Sequence, residues 1–370
     1  MRIGLNATCF SDRPSGARQR FLGIYGEVVK RLPDVEFVVY EPSDARVGKW
    51  FGEAPNVKAV RTPVPSEGRL AKVIHGSRFW RPTLAAAKLD ILEQFNLPSV
   101  NASGARTLLT IHDIRALHGR THSFKRAAVK SIIGRSLRAA DHVVTVSESM
   151  KADILDVFPD VPVSVIYNGV NLGACDHLSD LELEGVRRRY SLPREFILAV
   201  GHIEARKNYA TLIDALAQLH SSGRSCPLVI VGNDGGGRSA LLERIQATGQ
   251  TANVMLLSNL TDVDVRCAYK LCSLFVFPSA YEGFGIPILE AMDAGRAMVL
   301  SDIPVFREIT ENQGVYCECD NSEAMASAIG QLLESSGDRG RLIAYGHERV
   351  QAFGFPALAA QIECLYGELL

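Results

Sequence analysis

Short runs of β-branched and aliphatic residues alternate with amphipathic stretches along the whole chain, in two blocks divided by a polar segment. In the first block strands are predicted over 2–6, 35–40, 57–61, 107–111, 142–146 and 163–167, with helices such as 20–32 and 123–138 among them. After Asn168-Gly169-Val170 the sequence reads as a loop as far as Pro193. The pattern then restarts, with strands over 196–200, 228–231, 254–257, 274–277, 297–300 and 315–317 and helices such as 210–220, 239–247 and 323–333. Such alternation is the signature of an α/β fold with parallel, doubly wound sheets. A chain of 370 residues exceeds what one hydrophobic core ordinarily supports, so two such domains are expected. Their boundaries are placed at 1–170 and 171–355, with a final helix over 356–370. Ligands of doubly wound sheets bind beyond the carboxyl ends of the strands, and two facing domains would enclose a cleft.

Composition narrows the class. Apolar residues make up 47% and charged residues 22%, as in ordinary globular proteins. No window approaches the roughly 18 consecutive apolar residues of a membrane span. The opening Met1-Arg2-Ile3-Gly4-Leu5-Asn6-Ala7 is too short and polar for a signal peptide, so a cytoplasmic protein is expected. The eight cysteines lack zinc-like spacing and read as buried reduced thiols. The net charge of −1 conceals an asymmetry. Residues 1–170 carry 24 Lys and Arg against 16 Asp and Glu, whereas 171–370 carry 16 against 25. A basic half and an acidic half suggest different partners for the two domains.

The most informative block runs from Phe275 to Met292 as a buried strand, a turn containing Gly283 and Gly285, and a helix with Pro287 at its start. Glycine lets backbone approach a ligand, and the unpaired N–H groups of a helix start can hold phosphate or hydroxyl oxygens. Glu282 precedes the turn and Glu290 lies one helical turn inside, so both carboxylates are expected to face the same site at different depths. The second block, Val200-Gly201-His202-Ile203-Glu204-Ala205-Arg206-Lys207-Asn208, puts two adjacent cations at a strand-to-helix turn. A guanidinium gripping two oxygens beside an ammonium point charge suits a diphosphate and the charge of a departing nucleotide. A third block, Val231-Gly232-Asn233-Asp234-Gly235-Gly236-Gly237, follows a strand without the G-x-G-x-x-G spacing of dinucleotide folds. It fits either a nucleotide-bordering loop or a plain flexible one.

The spacing of Glu282 and Glu290, with seven residues between them inside Pro278-Ser279 through Ala291-Met292, resembles glycosyltransferase family four. These are retaining enzymes of the two-domain GT-B fold. The resemblance implies that Glu290 binds the ribose hydroxyls and Glu282 the donor-sugar hydroxyls, with backbone of Gly283, Phe284, Gly285 and Ile286 lining the donor site. It carries Arg206 and Lys207 over as diphosphate ligands after Gly201, and sets Asn233 and Leu260 beside the nucleotide. His112, in Thr110-Ile111-His112-Asp113, matches a histidine near the donor sugar, although a lone histidine is as easily structural. Asp113 fits a helix cap equally well. Relatives carry a glycine pair in the first loop, facing donor and acceptor; here only Gly16 matches, which the resemblance places at the donor, and Arg18 and Arg20 following it imply a more cationic acceptor side. The tail helix is expected to pack back on the first domain.

The reading that results is a hexosyltransferase, mannose favoured, acting from a nucleotide-sugar on a lipid-linked oligosaccharide acceptor in surface polysaccharide or lipopolysaccharide synthesis. GDP-mannose is the favoured donor, with UDP-hexoses and deoxysugar nucleotides as alternatives. No cofactor, metal or nucleic acid is expected; Asp262-Val263-Asp264 reads as a helix start rather than a metal site. Seven cations and no acid lie between Arg115 and Arg138, with an expected apolar stripe of Phe124, Ala128, Ile132 and Leu137 on the domain core. That basic face predicts peripheral binding to the anionic inner leaflet of the membrane. The alternatives are a sugar-nucleotide epimerase of the same architecture and a catalytically silent nucleotide-sugar-binding subunit.

Overall fold

The computed structural model describes residues 1–12, 15–102, 104–115, 123–224 and 226–370. The chain forms two compact units, one from residues 1–169 with 355–370 and the other from 170–354.

The first unit holds a seven-stranded parallel sheet in the order β3-β2-β1-β4-β5-β6-β7. Its strands are β1 Arg2–Asn6, β2 Glu36–Glu41, β3 Val57–Arg61, β4 Ile91–Gln94, β5 Arg106–Ile111, β6 His142–Thr145 and β7 Val163–Val165. One strand, β4, has no counterpart in the expected pattern. It sits at the centre of the sheet between β1 and β5, yet its residues Ile91-Leu92-Glu93-Gln94 include two polar side chains, both fully buried. Buried polar residues on a central strand break the apolar run by which such strands are read from sequence. The helix Arg69–Ala87 is likewise unanticipated, since it runs unbroken through Gly76 and Pro82, both poor helix formers. The expected stripe over 123–138 is also corrected. Ile132 is 47% exposed, while Ile133, Ser136 and Leu137 turn inward. The side chains of Phe124 and Ala128 lie outside the described residues.

The tail returns to this unit as the helix Phe355–Leu369. It packs Leu358, Ala359, Ile362, Leu365 and Tyr366 into the core shared with β1, β2 and the helical segment 16–31. Gly23, in a π-helical turn Phe21–Tyr25, makes the docking possible: a Cβ there would overlap the Phe355 ring. Arg31 and Glu363 are ion-paired across the two helices at 2.8 Å.

The second unit holds a six-stranded parallel sheet in the order β10-β9-β8-β11-β12-β13. These are β8 Ile197–Val200, β9 Leu228–Val231, β10 Val254–Leu257, β11 Leu274–Phe277, β12 Met298–Ser301 and β13 Val315–Cys317. Both sheets change strand order beside their first strand, which opens a crevice at the carboxyl edge. The stretch expected to be a loop after Val170 contains the helix Asp180–Arg189, closed by a capping box between Ser179 and Glu182. That box, serine followed three residues later by glutamate, is visible in the sequence. Among the described residues no helix is long and apolar enough to cross a membrane.

Candidate active site

The carboxyl edge of the second unit's sheet brings the three sequence blocks together. After β8 the chain passes Gly201, whose φ of +145° lies outside the range L side chains favour. A Cβ there would come within 3.0 Å of the Lys207 Cε and within 3.2 Å of the Tyr209 hydroxyl. Gly232, after β9, lies so close to the Gly201 carbonyl that any side chain would overlap it. Two glycines thus let adjacent strand ends converge and leave room for the cations that follow.

Arg206 and Lys207 stand on a single 3-10 turn, Ala205–Lys207, ended by Asn208 in the left-handed region at φ 55°. The Asn208 amide donates to the Cys319 carbonyl at 2.6 Å, which ties this reversal to the segment after β13. The Ala280 N–H donates to the Arg206 carbonyl, joining the turn to the end of β11.

Both cations converge on Glu282. Lys207 Nζ lies 2.6 Å from Glu282 Oε1, and Arg206 Nη1 lies 2.7 Å from Oε2. Arg206 Nη2 also reaches Glu204 at 2.6 Å. Lys207 is 7% and Glu282 12% exposed, so this pair is largely withdrawn from water. Desolvation lowers the Lys207 pKa, opposed by the Glu282 charge; the Nζ also sits 4.9 Å from the Phe277 ring centre. Desolvation pulls Arg206 down too, but Glu282 and Glu204 outweigh it and raise its pKa. Glu282 is thus ion-paired with both cations; the family resemblance implies a role for it on the donor-sugar hydroxyls.

Glu290 occupies the helix Ile286–Asp293 and accepts a hydrogen bond from the Tyr269 hydroxyl at 3.0 Å. Gly285 precedes that helix with extended backbone, and a Cβ there would press on Ile288, Phe306 and Ile309 at 3.0–3.3 Å. Its need for glycine is therefore packing. Phe284 is buried against Phe353, and Ile286 is 9% exposed. Asn233 accepts from the Asn259 N–H at 2.9 Å, so the loop after β9 fixes the backbone leading to Leu260. Gly235 and Gly237 both donate backbone N–H groups to the Ile203 carbonyl, which makes the glycine-rich loop an ordered one. Asp264 is committed to a capping box with Thr261 and to Arg189 and Tyr190.

In the first unit, His112 follows β5, and its Nε2 is buried without a hydrogen-bond partner among the described residues. Desolvation, reinforced by the Arg20 charge, lowers its pKa to about 3, so the imidazole is neutral throughout the physiological range. Gly16 is the first residue of a helix, Gly16–Arg20, capped by Ser15, in place of the anticipated loop. Arg20 does not extend a cationic acceptor surface. It is 1% exposed and donates to the carbonyls of Ile166 and Tyr167. Arg18 lies over the Trp50 ring at 4.7 Å and donates to the Asp12 carbonyl. Below this edge Glu93 is wholly buried and accepts from the hydroxyls of Tyr25 and of Tyr366, the latter at 2.5 Å. Glu93, Tyr269 and Glu204 were not singled out from the sequence. The polar Glu93-Gln94 end of an apolar strand and the tyrosine one helix before the Glu282 block were the signals available.

Residues 187–349 match the model for glycosyl transferases group 1, and residues 15–174 match that for glycosyltransferase family 4. The serotype-specific mannosyltransferase WbdA of Escherichia coli is 32% identical over 178 residues, covering 46% of this chain and 22% of that protein. The phosphatidyl-myo-inositol mannosyltransferase of Mycobacterium leprae is 26% identical over 386 residues, covering 99% of this chain and 96% of that one. The chain spans about a fifth of the length of the first curated relatives it matches. Among solved structures, sucrose-phosphate synthase from Thermosynechococcus elongatus superposes with a TM-score of 0.78 at 21% identity, covering 100% of this chain and 98% of that one. Two parallel α/β units of this kind define the GT-B class. Within it, the chain belongs to the group 1 glycosyl transferases, glycosyltransferase family 4.

Proposed function

We propose that the protein is a retaining glycosyltransferase that moves a hexose, mannose favoured, from a nucleotide-sugar to a glycan acceptor in surface polysaccharide or lipopolysaccharide synthesis. The observation that carries the reading is the pair Arg206 and Lys207, gathered on Glu282 eight residues before Glu290, at the carboxyl edge of the second unit's sheet. The second unit holds the nucleotide: Arg206 and Lys207 take the diphosphate, Glu290 the ribose, and backbone around Asn259 and Leu260 the base. Gly201, Gly283, Phe284, Gly285 and Ile286 shape the wall. When the diphosphate draws the cations away, Glu282 becomes available to the sugar hydroxyls. The first unit takes the acceptor, with neutral His112 as a hydrogen-bonding group rather than an acid. The departing diphosphate oxygen accepts the proton of the attacking hydroxyl, and the protein supplies position and electrostatics.

The named activity of WbdA supports mannose, and GDP-mannose is the favoured donor, with UDP-hexoses as the alternative. The name of the mycobacterial relative supports a lipid-borne acceptor. With that goes work at the inner face of the membrane by a cytoplasmic protein. No metal is required in this reading, because Arg206 and Lys207 would supply the positive charge that a diphosphate needs. The test is turnover by the purified chain with GDP-mannose or UDP-glucose, in excess EDTA, on a lipid-linked oligosaccharide, followed by NMR of the product anomer. Transfer with retained configuration is expected. A new sugar nucleotide formed without acceptor would identify an epimerase. Donor binding without hydrolysis or transfer would identify a silent subunit. Activity lost in EDTA and restored by Mg²⁺ would overturn metal independence.

A further inference from the structure

Tyr269 is a fully buried polar group near the proposed nucleotide site. It is 0% exposed, stands in the last turn of the helix Asp262–Leu271, and packs its ring on Phe275 with centroids 5.3 Å apart. Its hydroxyl meets Glu290 Oε2 at 3.0 Å. Burial, and then the Glu290 charge, raise the Tyr269 pKa well above 10, so the phenol remains a donor at any physiological pH. The helix carrying it begins at Thr261, directly after Asn259-Leu260, and Asn259 is held at φ 58° with its N–H on Asn233. One rigid element therefore joins the loop assigned to the base with the carboxylate assigned to the ribose.

We propose that Tyr269 is a positioning residue that holds the Glu290 carboxylate edge-on to a vicinal ribose diol, and so restricts the donor to ribonucleoside diphosphate sugars. This rests on the assignment of Glu290 to the ribose. An ionised carboxylate offers about four lone-pair sites. At least one is taken by the phenol, which restrains the side chain, and a vicinal diol would engage two of the others. A glutamate without the phenol bond would be less restrained and would favour the diol less. The clamped one loses a charge-assisted hydrogen bond when the 2′-hydroxyl is missing. Nucleoside diphosphate sugars built on 2′-deoxyribose, dTDP-sugars among them, are thereby disfavoured.

The experiment is calorimetric titration of the full chain with GDP, UDP and their 2′-deoxy counterparts, for the wild type, Tyr269→Phe and Glu290→Gln. The wild type is expected to bind the better ribonucleotide roughly ten- to hundredfold more tightly than its deoxy form. Tyr269→Phe should lose most of that ratio, chiefly through weaker ribonucleotide binding, with the deoxy affinity unchanged. Discrimination that survives Glu290→Gln would overturn the ribose assignment itself. Discrimination abolished by Glu290→Gln but intact in Tyr269→Phe would leave that assignment standing and overturn the role of Tyr269. Equal wild-type affinities for ribo and deoxy forms would overturn the specificity, whether or not the tyrosine variant folds.

Discussion

At the residue scale, the charge cluster on Glu282 decides how substitutions will behave. Lys207 is nearly buried, whereas Arg206 is 27% exposed. Removing one partner of a buried ion pair leaves an uncompensated charge and costs about 3–5 kcal/mol. Lys207→Met is therefore expected to lower stability more than Arg206→Met, as measured by urea unfolding. Adding Glu282→Gln to Lys207→Met should recover part of the loss. Replacing both cations by alanine should abolish turnover in a protein that still folds; unchanged turnover would remove the diphosphate from this site. His112 gives a second test at this scale. Its imidazole resonances are expected not to titrate between pH 8 and 5, because burial and Arg20 hold it neutral. A midpoint near 6.5 would return it to an ordinary exposed histidine.

At the scale of elements, the tail helix is held by one close approach and one buried carboxyl. Gly23→Ala drives a methyl into the Phe355 ring, and such overpacking costs about 1–3 kcal/mol, read as a fall in the thermal midpoint. Glu93 accepts from Tyr25 and Tyr366, one on each side of the packing between the tail helix and the segment 16–31. Burial raises its pKa to about 7 from 4.5, against the opposing pull of Tyr25, Tyr366, Arg20 and Thr110. The folded state thus holds this proton more tightly than the unfolded one. Its stabilising effect is complete below pH 4.5 and is lost as pH rises towards 7. Between those values wild-type stability should fall with pH relative to Glu93→Gln, by up to about 1.4 kcal/mol per pH unit. Parallel pH–stability curves for the two proteins would show that Glu93 is ionised throughout.

At the scale of the molecule, charge separates by unit. Residues 1–169 with 355–370 carry 24 Lys and Arg against 18 Asp and Glu, so the first unit is basic and the second acidic. On the first unit, Ile74 and Ile132 stand exposed at 65% and 47% on helices that also expose Arg78, Arg81, Lys130, Arg135 and Arg138. Of the basic segment 115–138, Arg120 and the side chains of Lys125 and Arg126 lie outside the described residues. Lys130 and Arg138 also lie over the Phe158 ring, at 5.9 and 5.6 Å, so part of their apolar stem is committed to the unit. Cations near anionic lipid contribute about 1 kcal/mol each within a Debye length. Co-sedimentation with anionic liposomes at low salt, weakened at high salt and absent with neutral liposomes, is the expected outcome. Equal and negligible binding to both would leave these helices as an ordinary solvated face.

What the sequence determined by itself is what local chemistry dictates. Apolar runs placed β1, β2 and β5 to within a residue or so, and β8, β9 and β11 likewise, because a parallel strand buried on both faces must be apolar nearly throughout. The Glu282–Glu290 and Arg206-Lys207 blocks were legible because strand, turn and helix fix their spacing within a few residues. The contacts that periodicity could not reveal join partners far apart in the chain. Glu93 on a central strand is tolerable because Tyr366, 273 residues away, meets it. Arg20 turns inward because the carbonyls of Ile166 and Tyr167 receive it, 146 and 147 residues on. The closure of Glu282 on two cations across 75 residues, and of Tyr269 on Glu290, likewise depends on which strand ends lie side by side. A buried polar group is stable only with a satisfied partner. Sequence periodicity reports burial, but only the folded sheet brings the partner.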